Sequence, residues 1–162
     1  SFGGATKYAV IFLWALGSVL LLRRWIVEYL HSRALIRTSE PSDVVSWVSV
    51  RVRDGIAEPT LIGIADPVIL LPTYALEKLT PEQVDAVIAH ETWHVQRGDN
   101  LAGAIHTLVQ TLFWFHPLVW WIGAKLVHER EHACDEGAVK DGCDPLTYAL
   151  GAVSALILYT SI

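Results

Sequence analysis

An apolar stretch lodged between two polar clusters that need each other constrains this chain most. Leu101 to Val127 carries Lys125 as its only formal charge and holds Phe113, Trp114, Phe115, Trp120 and Trp121. By length it would read as a membrane span, since about 20 apolar residues cross a bilayer. Before it stands His90-Glu91-Thr92-Trp93-His94; after it stands Glu129-Arg130-Glu131-His132-Ala133-Cys134-Asp135-Glu136. Histidines at i and i+4 share a helix face and can ligate one Zn²⁺, and the glutamate between them can take a proton from water at the metal. Catalytic zinc usually has three protein ligands, so the second cluster is expected to supply the third. A single crossing would put the clusters on opposite sides of a membrane. The stretch is therefore expected not to cross. A re-entrant hairpin turning at His116-Pro117, a helix pair at the interface and a buried core pair all meet that condition. Each arm is too short to span alone, which favours a hairpin beneath or partly in the bilayer. The aromatic cluster suits headgroup level, and equally a plain hydrophobic core.

The local sequence predicts a helix for the first cluster. Thr80-Pro81-Glu82-Gln83 reads as an N-cap, a proline at the first helical position and a capping-box partner. Val84, Val87, Ile88, Thr92 and Val95 follow with a period near 3.6, and Gly98 is a C-terminal stop. Without such a context the five-residue motif would read as an accident on a surface helix. In the second cluster Glu131 and Asp135 share a face, with His128 on the same side, while Glu129 points almost the opposite way. Glu131 is the preferred ligand, and Asp135 is expected to orient a ligand histidine through its free ring N–H. His128 and His132 stay open as ligands. Cys134 is expected to be a small buried residue turned away from the Glu131 face. A third histidine six residues after the second is excluded, because Gly and His would fall at Arg97 and Asn100.

H-E-x-x-H, R-G-D, F-H-P-x-V-W-W and E-R-E-H-A-C-D arrive in that order, after Glu58-Pro59-Thr60-Leu61-Ile62-Gly63-Ile64 and Pro67-Val68-Ile69-Leu70-Leu71-Pro72. From about Val45 to about Val139 the chain resembles the membrane zinc peptidases of the BlaR/MecR type, the antirepressor signal transducers of β-lactam resistance. The resemblance implies a Glu-type zinc endopeptidase with one Zn²⁺ per chain, His90, His94 and Glu131 as ligands and Glu91 as general base. It implies a bacterial cell membrane, cytoplasmic catalysis, and cleavage of a repressor or of the protein itself. No S-x-x-K motif of a penicillin-sensing domain occurs, so a sensor is expected beyond Ile162 or in a partner. Other readings are a housekeeping membrane protease of the quality-control or prenyl-protein type, and a zinc-containing scaffold without proteolysis. The intact Glu91 argues against the scaffold.

The expected fold is α+β: a mainly helical, membrane-associated peptidase domain with a small sheet and an N-terminal transmembrane helix. Residues 1–30 form that helix and its cytoplasmic exit. Tyr8 to Leu22 is free of charge, and Ser1 to Thr6 and Trp25 to Val27 can supply the missing rise. Arg23, Arg24, Arg33 and Arg37 follow the run, against Lys7 alone before it, so the zinc motif is expected on the cytoplasmic side. Residues 31–44 read as a linker. Within a peptidase domain at 45–145, residues 45–72 are the β region, 81–97 the motif helix and 101–140 the hydrophobic pair with the third-ligand helix. Val45 to Arg53 alternates loosely up to the turn at Asp54-Gly55, and Thr60 to Ile64 and Val68 to Leu71 read as short strands. A free edge of that sheet can bind substrate as an added strand. Residues 146–162 read as a truncated apolar helix, in the core or opening another span, and the chain, with no Met, as a fragment of something longer.

Apolar residues make up 52% of the chain and charged residues 18%, a bias that agrees with membrane lipid as a partner. A net charge of −5 leaves no basic field, which argues against direct nucleic-acid binding. His31 is expected at the interface and His106 in the apolar packing, while His116 and His128 are candidate oxyanion stabilisers. Cys134 and Cys143 are expected to be reduced. The oligomeric state is not legible, and a homodimer stays open.

Overall fold

A computed structural model describes residues 2–143 and residue 146; the apolar helix expected at 146–162 otherwise lies outside the described residues. Helix α1 (Phe2–Arg37) carries the uncharged run on through the arginines, past the expected exit at residue 30. Arg24 and Glu28 pair at i, i+4, 2.8 Å apart, and Thr38 Oγ1 closes the helix on Ala34 O. Gly4–Arg37 is the one helix among the described residues long and apolar enough to cross a membrane.

The sheet is small and mixed. Strands β1 (Glu40–Pro41), β2 (Ser49–Arg53), β3 (Thr60–Ile62) and β4 (Val68–Pro72) lie in the order β1-β2-β4-β3. β2 runs parallel to β4, and the two outer pairings are antiparallel. β4 is central, which is why Val-Ile-Leu-Leu reads as an unbroken apolar run: Ile69, Leu70 and Leu71 are fully buried. The expected first strand starts late. Ser46 Oγ accepts from Val48 N, and this local turn leaves Val45 96% exposed. Part of the expected linker, conversely, pairs as β1.

Short helix α2 (Thr73–Lys78) leads to α3 (Pro81–Arg97), the motif helix. Its capping box is formed: Thr80 Oγ1 accepts from Gln83 N, and Gln83 Oε1 accepts from Thr80 N. Val84 and Ile88 join Val48, Val50, Ile69, Leu71, Ala75 and Leu79 in one core, with Val87 and Val95 against it. This burial, of order 2 kcal/mol for each large side chain, fixes which face α3 turns from the sheet. The histidines lie on the flank of that core stripe, roughly a quarter turn around the helix.

The apolar stretch folds as a helical hairpin. Helix α4 (Asp99–Leu112) ends at the turn Phe113–His116, and α5 (Pro117–Lys140) returns. His116 is the N-cap of α5, its Nδ1 accepting from Leu118 N at 3.2 Å, with Pro117 at the first helical position. α5 packs along α3 and brings the second cluster to the first.

Candidate metal centre

Each ligand candidate is aimed by its own helix. His90 and His94, one turn apart on α3, bring their Nε2 atoms to 3.1 Å. From α5, Glu131 places Oε2 3.5 Å from His90 Nε2 and 3.7 Å from His94 Nε2. Its other oxygen, Oε1, accepts from Arg130 at 3.1 and 3.2 Å, so only Oε2 faces the histidines. Tetrahedral bonds of about 2.0–2.1 Å place their donors roughly 3.3 Å apart. The observed spacing, and a set of two imidazoles and one carboxylate oxygen, fit a divalent metal of zinc type.

Both imidazoles are oriented from behind. His90 Nδ1 lies 3.1 Å from Asp135 Oδ1, and His94 Nδ1 lies 2.8 Å from Asp99 Oδ2. A carboxylate on Nδ1 fixes the tautomer that leaves the Nε2 lone pair free. Burial and the neighbouring His94 hold the His90 pKa below its ordinary value, which keeps the ring neutral and able to ligate.

Glu91 is buried, 9% exposed. Burial first, then the charges of Glu131 and Glu58, push its carboxyl up to about 7, with Arg130 opposing. A group poised there can accept and return a proton near neutral pH.

Asp99, Asn100, Glu58 and Arg130 have roles here that the sequence reading missed. Gly98 adopts φ 67°, ψ 32°, closing α3 and opening α4 in a single residue, and this reversal folds Asp99 back onto His94. Asn100 Nδ2 then donates to Leu61 O and Gly63 O, tying the corner to β3. A search for a carboxylate partner for each ligand histidine, begun at the corner Gly98 must form, would have reached Asp99.

Cys134 corrects the expectation that it turns away. It is fully buried with Sγ 3.2 Å from His94 Nδ1 and 3.6 Å from Asp99 Oδ2, because residues i and i+3 share a face. His94, Asp99 and Cys134 thus form a second potential metal-holding group. Burial and then Asp99 push the thiol up to about 12, so it stays protonated beside that carboxylate. The trio of His90, His94 and Glu131, partly open through Glu131, fits a metal better than this fully buried one, whose thiol stays protonated.

The remaining candidates lie outside both groups. His116 caps α5, His128 is exposed, and His132 is exposed with Nδ1 3.6 Å from Glu136. Cys143 and Cys134 are free thiols.

The family model described as BlaR1 peptidase M56 matches residues 4–142. Among curated proteins, the chain is 22% identical over 148 residues to the methicillin resistance mecR1 protein of Staphylococcus aureus, covering 82% of this chain and 25% of that protein. It is 30% identical over 107 residues to the regulatory protein BlaR1 of Bacillus licheniformis, covering 66% of this chain and 17% of that one. The chain therefore spans a quarter or less of the length of these relatives.

Proposed function

The chain belongs to the BlaR1 peptidase M56 family, and from that membership and the site's geometry we propose that it is a membrane-bound zinc endopeptidase that signals by regulated proteolysis. The observation that carries the proposal is the convergence of His90 Nε2, His94 Nε2 and Glu131 Oε2 within 3.7 Å, next to a buried Glu91. His90, His94 and Glu131 would hold the metal. When bound, zinc contributes Lewis acidity, which acidifies water and polarises a carbonyl oxygen. Asp135 and Asp99 keep the two imidazoles in the ligating tautomer. Glu91 takes the proton of the attacking water and returns it to the leaving amine. β3 is an edge strand tied by Asn100 to the corner beside the site. An extended peptide added along that edge would run past the metal.

We place α1 across a bacterial cell membrane with the site on the cytoplasmic side, because Arg23, Arg24, Arg33 and Arg37 follow the apolar run. The substrate is a repressor-like protein or the protein itself, with the sensor in the remainder of the protein or in a partner. The test uses full-length protein in lipid vesicles, wild type against Glu91→Ala, with zinc content and cleavage of a co-encoded repressor as readouts. The variant should keep about one zinc and lose cleavage. Retained cleavage rejects the mechanism. Indiscriminate cleavage of unfolded membrane proteins, with the repressor spared, moves the role to quality control, and zinc without any cleavage by the wild type leaves a scaffold.

A further inference from the structure

We propose that the α4–α5 hairpin is a wedge that enters the bilayer beside α1 and ends near mid-depth, its tip surrounded by acyl chains. The inference rests on α1 crossing the membrane.

Depth comes from the register of the hairpin on α1. Trp14 Nε1 donates to Leu112 O at 2.8 Å, and Trp114 Nε1 donates to Trp14 O at 3.2 Å. Gly17 permits the approach, since a Cβ there would lie 2.3 Å from the Trp114 ring. Further along, Leu21, Arg24 and Glu28 share a cavity with Thr107, Gln110 and Thr111, so α4 runs antiparallel to α1 with its end at Trp14. Trp14 sits one residue from the centre of the uncharged run from Tyr8 to Leu22 and nine residues before Arg23. Nine helical residues rise about 14 Å, and half of a hydrocarbon core is about 15 Å.

Several carbonyls at the tip are satisfied from within the protein. A helix end and turn in hydrocarbon must have their carbonyls satisfied from within the protein. Val109 O accepts from Phe113 N, and Phe113 O from His116 N, each at 2.9 Å. Leu112 O and Trp114 O accept the indoles of Trp14 and Trp120, each at 2.8 Å. Leu101 to Ala124 contains no Asp, Glu, Lys or Arg. Leu108, Phe113, Phe115, Leu118 and Trp121 of the hairpin are exposed, as Val10, Ile11 and Leu13 of α1 are. A notch of about 390 Å³ with no polar lining joins the two surfaces between Leu13 and Phe115. Its walls are continuous with the apolar face of α1, which makes a lipid acyl chain the occupant. The wedge also sets the height of the metal centre. Glu131 lies 14 residues along α5 from Pro117, about 21 Å, and so clears the hydrocarbon into the headgroup region.

The experiment places a nitroxide at single cysteines in the full-length protein, with Cys143 and any other accessible cysteine changed to serine. Leu13→Cys on α1, Phe115→Cys at the tip and Leu101→Cys at the base are reconstituted in phosphatidylcholine–phosphatidylglycerol vesicles. Depth is read from the ratio of relaxation by oxygen and by a water-soluble nickel complex. Positions 13 and 115 should report the same depth within a few ångströms, near the bilayer centre, with position 101 shallow. A deep residue 13 with residue 115 at the headgroups or in water overturns the wedge and leaves the span standing. A shallow residue 13 removes the span and the wedge with it. Leu118→Cys, one residue into α5, gives the same reading if Phe115→Cys does not fold, and a shallow label there overturns the wedge equally.

Discussion

Each histidine of the cluster gives one ring nitrogen to a carboxylate and keeps the other for the centre, and the two carboxylates are not equivalent. Asp99 is buried and also has Arg97 Nε 3.5 Å from its second oxygen, whereas the Asp135 side chain is about half exposed. Asp99→Ala should therefore lower zinc affinity about 10- to 100-fold, measured by chelator competition, and more than Asp135→Ala. Asp99→Asn keeps an oxygen acceptor at Nδ1 and should fall between Asp99→Ala and wild type. Unaltered affinity in Asp99→Ala would show that His94 needs no such partner. Glu91 has a pH signature of its own in metal-free protein. Its folded carboxyl sits at about 7, above the ordinary 4.5, so the folded state binds this proton more tightly than the unfolded state does. The resulting stabilisation is fully present below about pH 4.5 and is lost as pH rises to about 7. Glu91→Gln stays neutral throughout. Its stability relative to wild type should climb across that window, by up to roughly 3 kcal/mol, and level off above it. Denaturation at pH 5 and pH 8 measures this, and a flat difference would mean that Glu91 is not desolvated.

At the scale of elements, the corner between α3 and α4 carries the most function in the fewest residues. Gly98 has φ 67°, yet a Cβ there would meet nothing within 4 Å. Gly98→Ala therefore isolates backbone strain from steric clash, and should cost about 1–2 kcal/mol. It should also weaken zinc binding, since the same dihedral turns Asp99 onto His94; Gly98→Asn, which tolerates this region better, should recover part of both losses. Equal stability of Gly98→Ala and wild type would mean that the corner relaxes freely. The element that precedes this corner was legible in the sequence because its signals are local: Thr80, Pro81 and Gln83 start a helix whatever surrounds it. The hairpin was legible for a different reason, since Glu131 cannot face His90 unless the stretch between them turns back. Asp99 was hidden because its position depends on one residue's dihedral, which letters do not carry. Strand order was hidden because the parallel pairing of β2 with β4 is non-local, and Val45 was misread because Ser46 forms a local turn in place of a ladder bond. Cys134 was misjudged by treating three residues of helix as a change of face.

For the whole molecule, the proposed metal would act as a clamp. The helices that carry His90 and Glu131 pack on one another, with Trp93 Nε1 donating to Asp141 Oδ2 at 2.9 Å, but the two ligands themselves meet only in a 3.5 Å contact with one oxygen of a side chain that is 44% exposed. Even a fully charged surface pair holds helices together weakly, by about 0–1 kcal/mol, and the neutral His90 ring adds no charge to this contact. A ligand that binds only the folded chain adds RT ln(1 + [L]/Kd), about 4 kcal/mol at a thousandfold excess over Kd. Chelation should thus lower the thermal midpoint of the wild-type protein by several degrees or more, and zinc should restore it. Amide exchange should quicken along Glu131–Lys140 and His90–Arg97, with the core strand Val68–Pro72 unchanged, because the sheet core closes without the α5 contact. Glu131→Ala removes one arm of the clamp. Its metal-free midpoint should lie close to that of metal-free wild type, while the zinc-dependent rise shrinks or vanishes. A variant that rises with zinc as far as the wild type would take Glu131 out of the ligand set and send the search for the third ligand back to His128, His132 and Glu129. Loss of the rise with an intact sheet would assign the joining of α3 to α5 to the metal rather than to the helix packing.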